Sequence, residues 1–135
     1  MRLEIGETGS LTKTILDEEV RQFAHLVGDE NPVHLEDDFA KRTRFGRCIA
    51  HGMWGASLIS AVLGTQIPGP GTIYLSQSLQ FVAPVFIGDT ITARATTIKV
   101  REDKPIVTLE TICSNRGGEV VLKGEAVVLV EEVNR

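Results

Sequence analysis

No apolar run in this chain approaches the ~20 residues that a membrane-crossing helix requires, and the opening Met1-Arg2-Leu3-Glu4-Ile5-Gly6 lacks the apolar stretch of a secretion signal. Basic residues are few and scattered: 14 Lys and Arg stand against 18 Asp and Glu, a net charge of -4. That balance argues against a nucleic-acid partner, which needs a clustered basic face. Only two cysteines occur, Cys48 and Cys113, and they match neither a disulfide framework nor a metal-ligand spacing, so both are expected to be reduced and buried. Cys48 stands three residues before His51, but no third group is in view to orient a nucleophilic pair. No internal repeat or low-complexity segment interrupts the 135 residues. The expectation is one cytoplasmic domain spanning residues 1–135, with no membrane association.

Two periods organise what is present. Leu3 to Leu16 alternates weakly around Gly6 and Gly9, as an edge strand does. Asp17 is a candidate N-cap, with Glu18 and Glu19 placed to favour the helix dipole. Val20, Phe23, Ala24 and Val27 then recur at helical spacing until Gly28 closes the helix. A short helical run follows at Asp37 to Thr43. From Met53 to Leu63 apolar residues point in every direction, as in a helix enclosed on most sides, while Ser57, Ser60 and Gly64 share one small-residue stripe.

After Ile67-Pro68-Gly69-Pro70-Gly71 the period becomes two. Ile73, Leu75, Gln77, Leu79 and Phe81 predict one half-buried strand, and Ile91, Ala93 and Ala95 a second after the Gly88-Asp89 turn. Beyond Thr97 the apolar positions shift to Ile98 and Val100, the mark of a β-bulge. Val107, Leu109, Thr111 and Cys113 predict a third strand. Val120, Leu122, Ala126, Val128 and Val130 predict a fourth after the Asn115-Arg116-Gly117-Gly118 turn. The expected fold is α+β: a four-strand antiparallel meander, with an early edge strand, wrapped around a central buried helix in a hot-dog arrangement. Such a sheet leaves edges open, so self-association into a homodimer is expected.

Chemistry concentrates in Gly28-Asp29-Glu30-Asn31-Pro32-Val33-His34. By composition alone this is a turn. Two features favour a site. Pro32 biases Asn31 to an extended conformation, so Asp29 and Asn31 can face the same side, and His34 joins them if the chain bends. His51-Gly52 then opens the buried helix, whose free N–H groups can stabilise an oxyanion. A carboxylate, an imidazole and an amide donor suit chemistry α to a carbonyl.

The run Gly28 to His34, with Ile49-Ala50-His51-Gly52-Met53 and Tyr74-Leu75-Ser76-Gln77-Ser78-Leu79-Gln80-Phe81, is similar to the MaoC-like, (R)-specific enoyl-CoA hydratase family, from about residue 15 to about residue 130. The resemblance implies a hot-dog homodimer that adds water reversibly to a trans-2-enoyl-CoA thioester, giving the (R)-3-hydroxyacyl-CoA. Carried over by motif, Asp29 and His34 hold and activate the water, with the split between acid and base left open. Asn31 orients them, and the Gly52 N–H polarises the thioester carbonyl. Ser60 lies near the acyl pocket, and Leu63 and Val62 either line it or pack the core. His51 supports the Gly52 turn or touches substrate. Trp54 and Phe81 are expected in the core, His25 in a structural role, and Arg47, Arg101 and Lys104 either near the coenzyme phosphates or simply solvated. No metal or cofactor is expected beyond coenzyme A as part of the substrate, because both half-steps are proton transfers. The alternatives are a 3-hydroxyacyl-ACP dehydratase, a thioesterase on the same fold, or a non-catalytic acyl-thioester binding protein.

Overall fold

The computed structural model describes residues 3–132. Its elements run β1 (Thr8–Thr14), α1 (Asp17–Val27), α2 (Pro32–Leu35), α3 (Asp37–Lys41), α4 (Gly52–Thr65), β2 (Thr72–Gln77), β3 (Gln80–Phe81), β4 (Thr90–Val100), β5 (Ile106–Asn115) and β6 (Val120–Val130). The strands form one six-stranded antiparallel sheet in the order β1-β4-β5-β6-β2, with the short β3 also on β6. Period-two patterning produces this sheet: Ile91, Ala93, Ala95 and Thr97 of β4, and Val107, Leu109, Thr111 and Cys113 of β5, are buried on the inner face. The α4 helix lies against β4 more than any other strand, where Ala93 and Ala95 leave room for it. Trp54, Leu58, Ile59, Val62 and Leu63 supply its side of the core, the four aliphatic ones contributing about 1.5–3 kcal/mol each on full burial. Among the described residues no helix is long and apolar enough to cross a membrane.

The bulge expected after Thr97 is present, with register shifting between Thr97 and Lys99. A second shift, between Cys113 and Ser114, skips Val121 in the pairing of β6. Val121 is therefore buried with Leu122, whereas the simple alternation had placed Val120 on that face.

Three expectations need correction. The sheet is a three-strand meander, β4-β5-β6, and β2 joins it beside β6 instead of beside β4. The reason is the connection: residues 82–89 form no tight hairpin but cross past the start of α4, where Ala50 N–H donates to Val85 O at 2.7 Å and Ile49 bridges Phe86. Second, neither face of β2 is buried in the single chain: Ile73 and Leu75 of β2, like Phe81 of β3, are exposed, because β2 is an edge strand. Third, the α4 helix is open along Met53, Ser57 and Ser60, all exposed, so the small-residue stripe marks its uncovered side. At α1, Leu16 is the N-cap and Asp17 the first helical residue, and Val27 is exposed.

Candidate active site

Gly28 begins the site. It takes φ 82°, the left-handed conformation that favours glycine, and its N–H donates to Ala24 O to end α1. Asp29 follows on the exposed bend. Asn31 then caps α2: its Oδ1 accepts from Val33 N–H at 3.1 Å, and Pro32 occupies the first turn, where its missing N–H costs nothing. The proline thus starts a short helix as well as separating it from α1. The α2 helix supplies the bend that the sequence reading required, and it carries His34 inward. Arg21 secures the arrangement, its guanidinium reaching both Asp17 Oδ2 and Leu35 O at 3.0 Å.

His34 is buried, and its Nδ1 lies 2.7 Å from Ile49 O. A carbonyl only accepts, so Nδ1 carries the proton and Nε2 of the neutral ring holds the free lone pair. Burial pushes the His34 pKa below its usual value; neighbouring His51 acts the same way, while the Ile49 bond and Asp29 oppose it. A neutral imidazole able to take a proton at Nε2 is the result. By the same logic His51 donates Nε2–H to Asp29 O at 2.9 Å, and its ring stacks on His34 with centroids 3.8 Å apart.

Asp29, His34 and His51 have nitrogen or carboxylate atoms within 4.8 Å of one another. A cation would need a lone pair from each. His51 commits its Nε2–H to Asp29 and keeps a lone pair only at Nδ1, which is buried away from solvent. This set suits proton transfer better than ligation.

Next to these groups stands the start of α4. His51 is its N-cap but makes no side-chain cap bond, and the first N–H groups of a helix have no acceptor within it. Gly52 is required by close approach: a Cβ there would fall 2.5 Å from Phe81 Cε1. Asp29, His34, His51 and Gly52 all border one cavity of about 490 Å³, closed by Trp54, Phe81 and the crossing segment Val82 to Val85. Its wall is mainly apolar, with the polar groups gathered at the helix start, as in a site that binds an apolar chain and reacts at one end.

Residues 4–115 match the MaoC-like domain family. The chain belongs to that family. It is 51% identical to the (R)-specific enoyl-CoA hydratase of Aeromonas caviae over 126 residues, covering 93% of this chain and 94% of the relative. The hydratase of the same description from Rhodospirillum rubrum is 50% identical over 125 residues, covering 93% of this chain and 86% of that one. A solved structure of the A. caviae (R)-hydratase involved in PHA biosynthesis superposes with a TM-score of 0.93 at 50% identity, covering 96% of this chain and 98% of the other.

This MaoC-like chain brings together Asp29, His34, His51 and Gly52. Asn31 does not border the cavity; its side chain is spent on the cap, so it does not face the pocket beside Asp29. Ser60 is exposed, Leu63 and Val62 are packed in the core, and none of the three borders the cavity. Trp54 is buried yet borders it, whereas Phe81 is outside the core at 53% exposure and borders it too. Cys113 also contributes to the wall, its thiol pushed up to about 11 by burial. Cys48 is buried against Asp37, and both cysteines are free. His25 is exposed in the last turn of α1, where a positive charge suits the helix dipole. Arg101 pairs with Asp103; Arg47 lies over the Phe86 ring at 4.0 Å. Sequence reasoning missed Arg44 and Phe45 at the cavity and the whole Val82 to Val85 wall. The only signal for that wall was the excess length of the connection before Gly88.

Proposed function

We propose that this MaoC-like enzyme is an (R)-specific enoyl-CoA hydratase, a hydro-lyase that reversibly adds water to a trans-2-enoyl-CoA thioester. The observation that carries the reading is the convergence of the Asp29 carboxylate and the free Nε2 of His34 beside the open helix start at Gly52, in one largely apolar cavity. Water held by Asp29 and His34 attacks C3 as His34 Nε2 takes a proton. Negative charge growing on the thioester oxygen is met by the Gly52 N–H and the positive end of α4. C2 then takes a proton routed through Asp29, and the atoms of one water have been added. Asn31 serves this chemistry from a distance, by holding the helix that carries His34. Both half-steps are proton transfers, so the reaction uses no metal or redox cofactor.

Ser60 stands eight residues beyond Gly52, about 12 Å along the helix at 1.5 Å per residue. That distance, with Ser60 exposed and Leu63 packed in the core, takes both residues out of the reacting end of the site. The enzyme acts as a homodimer in this reading, with a second copy covering the open β2 edge, where Ile73, Tyr74 and Leu75 are exposed. The role of the A. caviae relative supports the same use here for the (R) product, polyhydroxyalkanoate synthesis, in the cytoplasm with its acyl-CoA substrates. Dehydration of a 3-hydroxyacyl-ACP by the same groups is the second reading, since a mitochondrial 3-hydroxyacyl-[acyl-carrier-protein] dehydratase of Solanum lycopersicum is 36% identical to this chain over 130 residues.

Purified protein should remove the conjugated absorbance of crotonyl-CoA and give only the (R) alcohol. Asp29→Asn and His34→Ala should each lower the rate by about 10²–10⁴-fold, the usual worth of positioned acid-base groups. An inert wild type, or variants within about tenfold of it, would sink the assignment; a strong preference for the ACP thioester would favour the second reading.

A further inference from the structure

His51 is more committed than a helix cap needs to be. It is 3% exposed and makes no cap bond to α4. Instead its Nε2–H crosses to Asp29 O, the only hydrogen bond that Asp29 makes among the described residues. One face lies on the His34 ring at an interplanar angle of 29°, and Phe23 packs against it from α1 at 4.9 Å. Nδ1 is left without a partner, a cost that packing alone would have removed by placing an apolar ring here.

We propose that His51 is the positioning residue of this site. Its one donated bond fixes the main chain at Asp29, and its ring sets the plane of His34, so that the carboxylate and Nε2 converge on a single water. The inference rests on the hydratase reading and adds a residue that does not itself touch the water. The titratable groups that face His51 are His34 from α2 and Asp29 from the bend, while Phe23 on α1 is uncharged; Arg44 and Cys113 border the same cavity. Charge on His51 lowers the His34 pKa, so removing the second imidazole moves His34 upward.

The test compares His51→Phe, which keeps a ring but loses the donor, with His51→Gln, whose amide can restore a donor near Nε2. His51→Phe should lower kcat by roughly 10- to 100-fold, the scale of an ångström-sized misplacement, with KM within about threefold. His51→Gln should recover kcat to within roughly fivefold of wild type. In both variants the acid limb of kcat/KM should move to higher pH. Wild-type kcat in His51→Phe, a loss confined to KM, or an acid limb that stays in place overturns the proposal. If His51→Phe does not fold, His51→Gln decides: a loss beyond about 100-fold, or an unmoved limb, refutes it. An inert wild type would instead refute the hydratase reading itself, so the two failures are separable.

Discussion

Replacing Gly52 with alanine probes the oxyanion end of the site without removing its N–H. The added Cβ would lie 2.5 Å from Phe81 Cε1 and 2.8 Å from Cδ1, about 1 Å short of an ordinary carbon contact of 3.5–4.0 Å. Either the helix start or the ring must yield. The helix start is tied down by Ala50 N–H to Val85 O and by His51 to Asp29. Phe81 is half exposed on the short β3. The ring should move, costing about 0.5–1.5 kcal/mol for an off-rotamer side chain, and thermal melting should register only that. Activity should fall further, by about 10- to 100-fold in kcat/KM on crotonyl-CoA, because the displaced ring crowds the place of the thioester oxygen on an ångström scale. A double-mutant cycle isolates the cause: in a Phe81→Ala background, Gly52→Ala should cost no more than about threefold. An equal loss in both backgrounds, or no loss in the first, would refute the steric reasoning.

The depressed His34 pKa places the acid limb of kcat/KM below 6.5, since the neutral ring is the base. The unfolded chain holds that proton more tightly, so His34's contribution to stability should be complete above pH 6.5 and be lost as pH falls through its folded pKa; denaturant melts across that window check the sign. Asn31→Ala removes the cap of α2 and should cost about 0.5–2 kcal/mol in denaturant melts, with a fall in kcat that Asn31→Ser largely restores. Cys48 and Cys113 are buried, and both thiol pKa values are raised by burial. Ellman's reagent should therefore label neither in the native protein and both in denaturant; rapid native labelling would contradict their placement. If the proposed homodimer forms through β2, Ile73→Lys should shift the protein in light scattering toward the 14.7 kDa of a single chain, and an unaltered mass would refute that edge.

Gly28 and Gly52 were legible because their signals are local, one ending a helix and the other opening one, whereas the short helix that Asn31 and Pro32 start was read as a loop. Alternation likewise exposed β4, β5 and the bulge at Thr97. What escaped depended on distant partners. Nothing within Ile73 to Phe81 says whether the strand lies beside β4 or β6; the path of residues 82–89 decides that. Hydrophobicity in Ile73 and Leu75 signals burial without saying what covers them. Asn31 had the right composition for the pocket, but its Oδ1 was closer to Val33 N–H, and a local bond took it. Ser60 and Leu63 share α4 with Gly52, yet one turns outward and the other into the core.

The crossing segment has a consequence for how this enzyme can change. Asp29, His34, His51 and Gly52 are all contributed before or at the first turn of α4, whereas Val82, Ala83, Pro84 and Val85 form the opposing wall outside any strand. Its main chain is tied at Val85 and Phe86 to the segment before α4 and at Val82 and Ala83 to Val121, and Arg47 lies over the Phe86 ring. Side chains on that wall can be enlarged or trimmed without disturbing a ladder bond or a proton-transferring group. Substrate capacity and chemistry are thus written in separate stretches of sequence, and a library confined to residues 82–85 should yield altered acyl-length preference at nearly unaltered pH dependence.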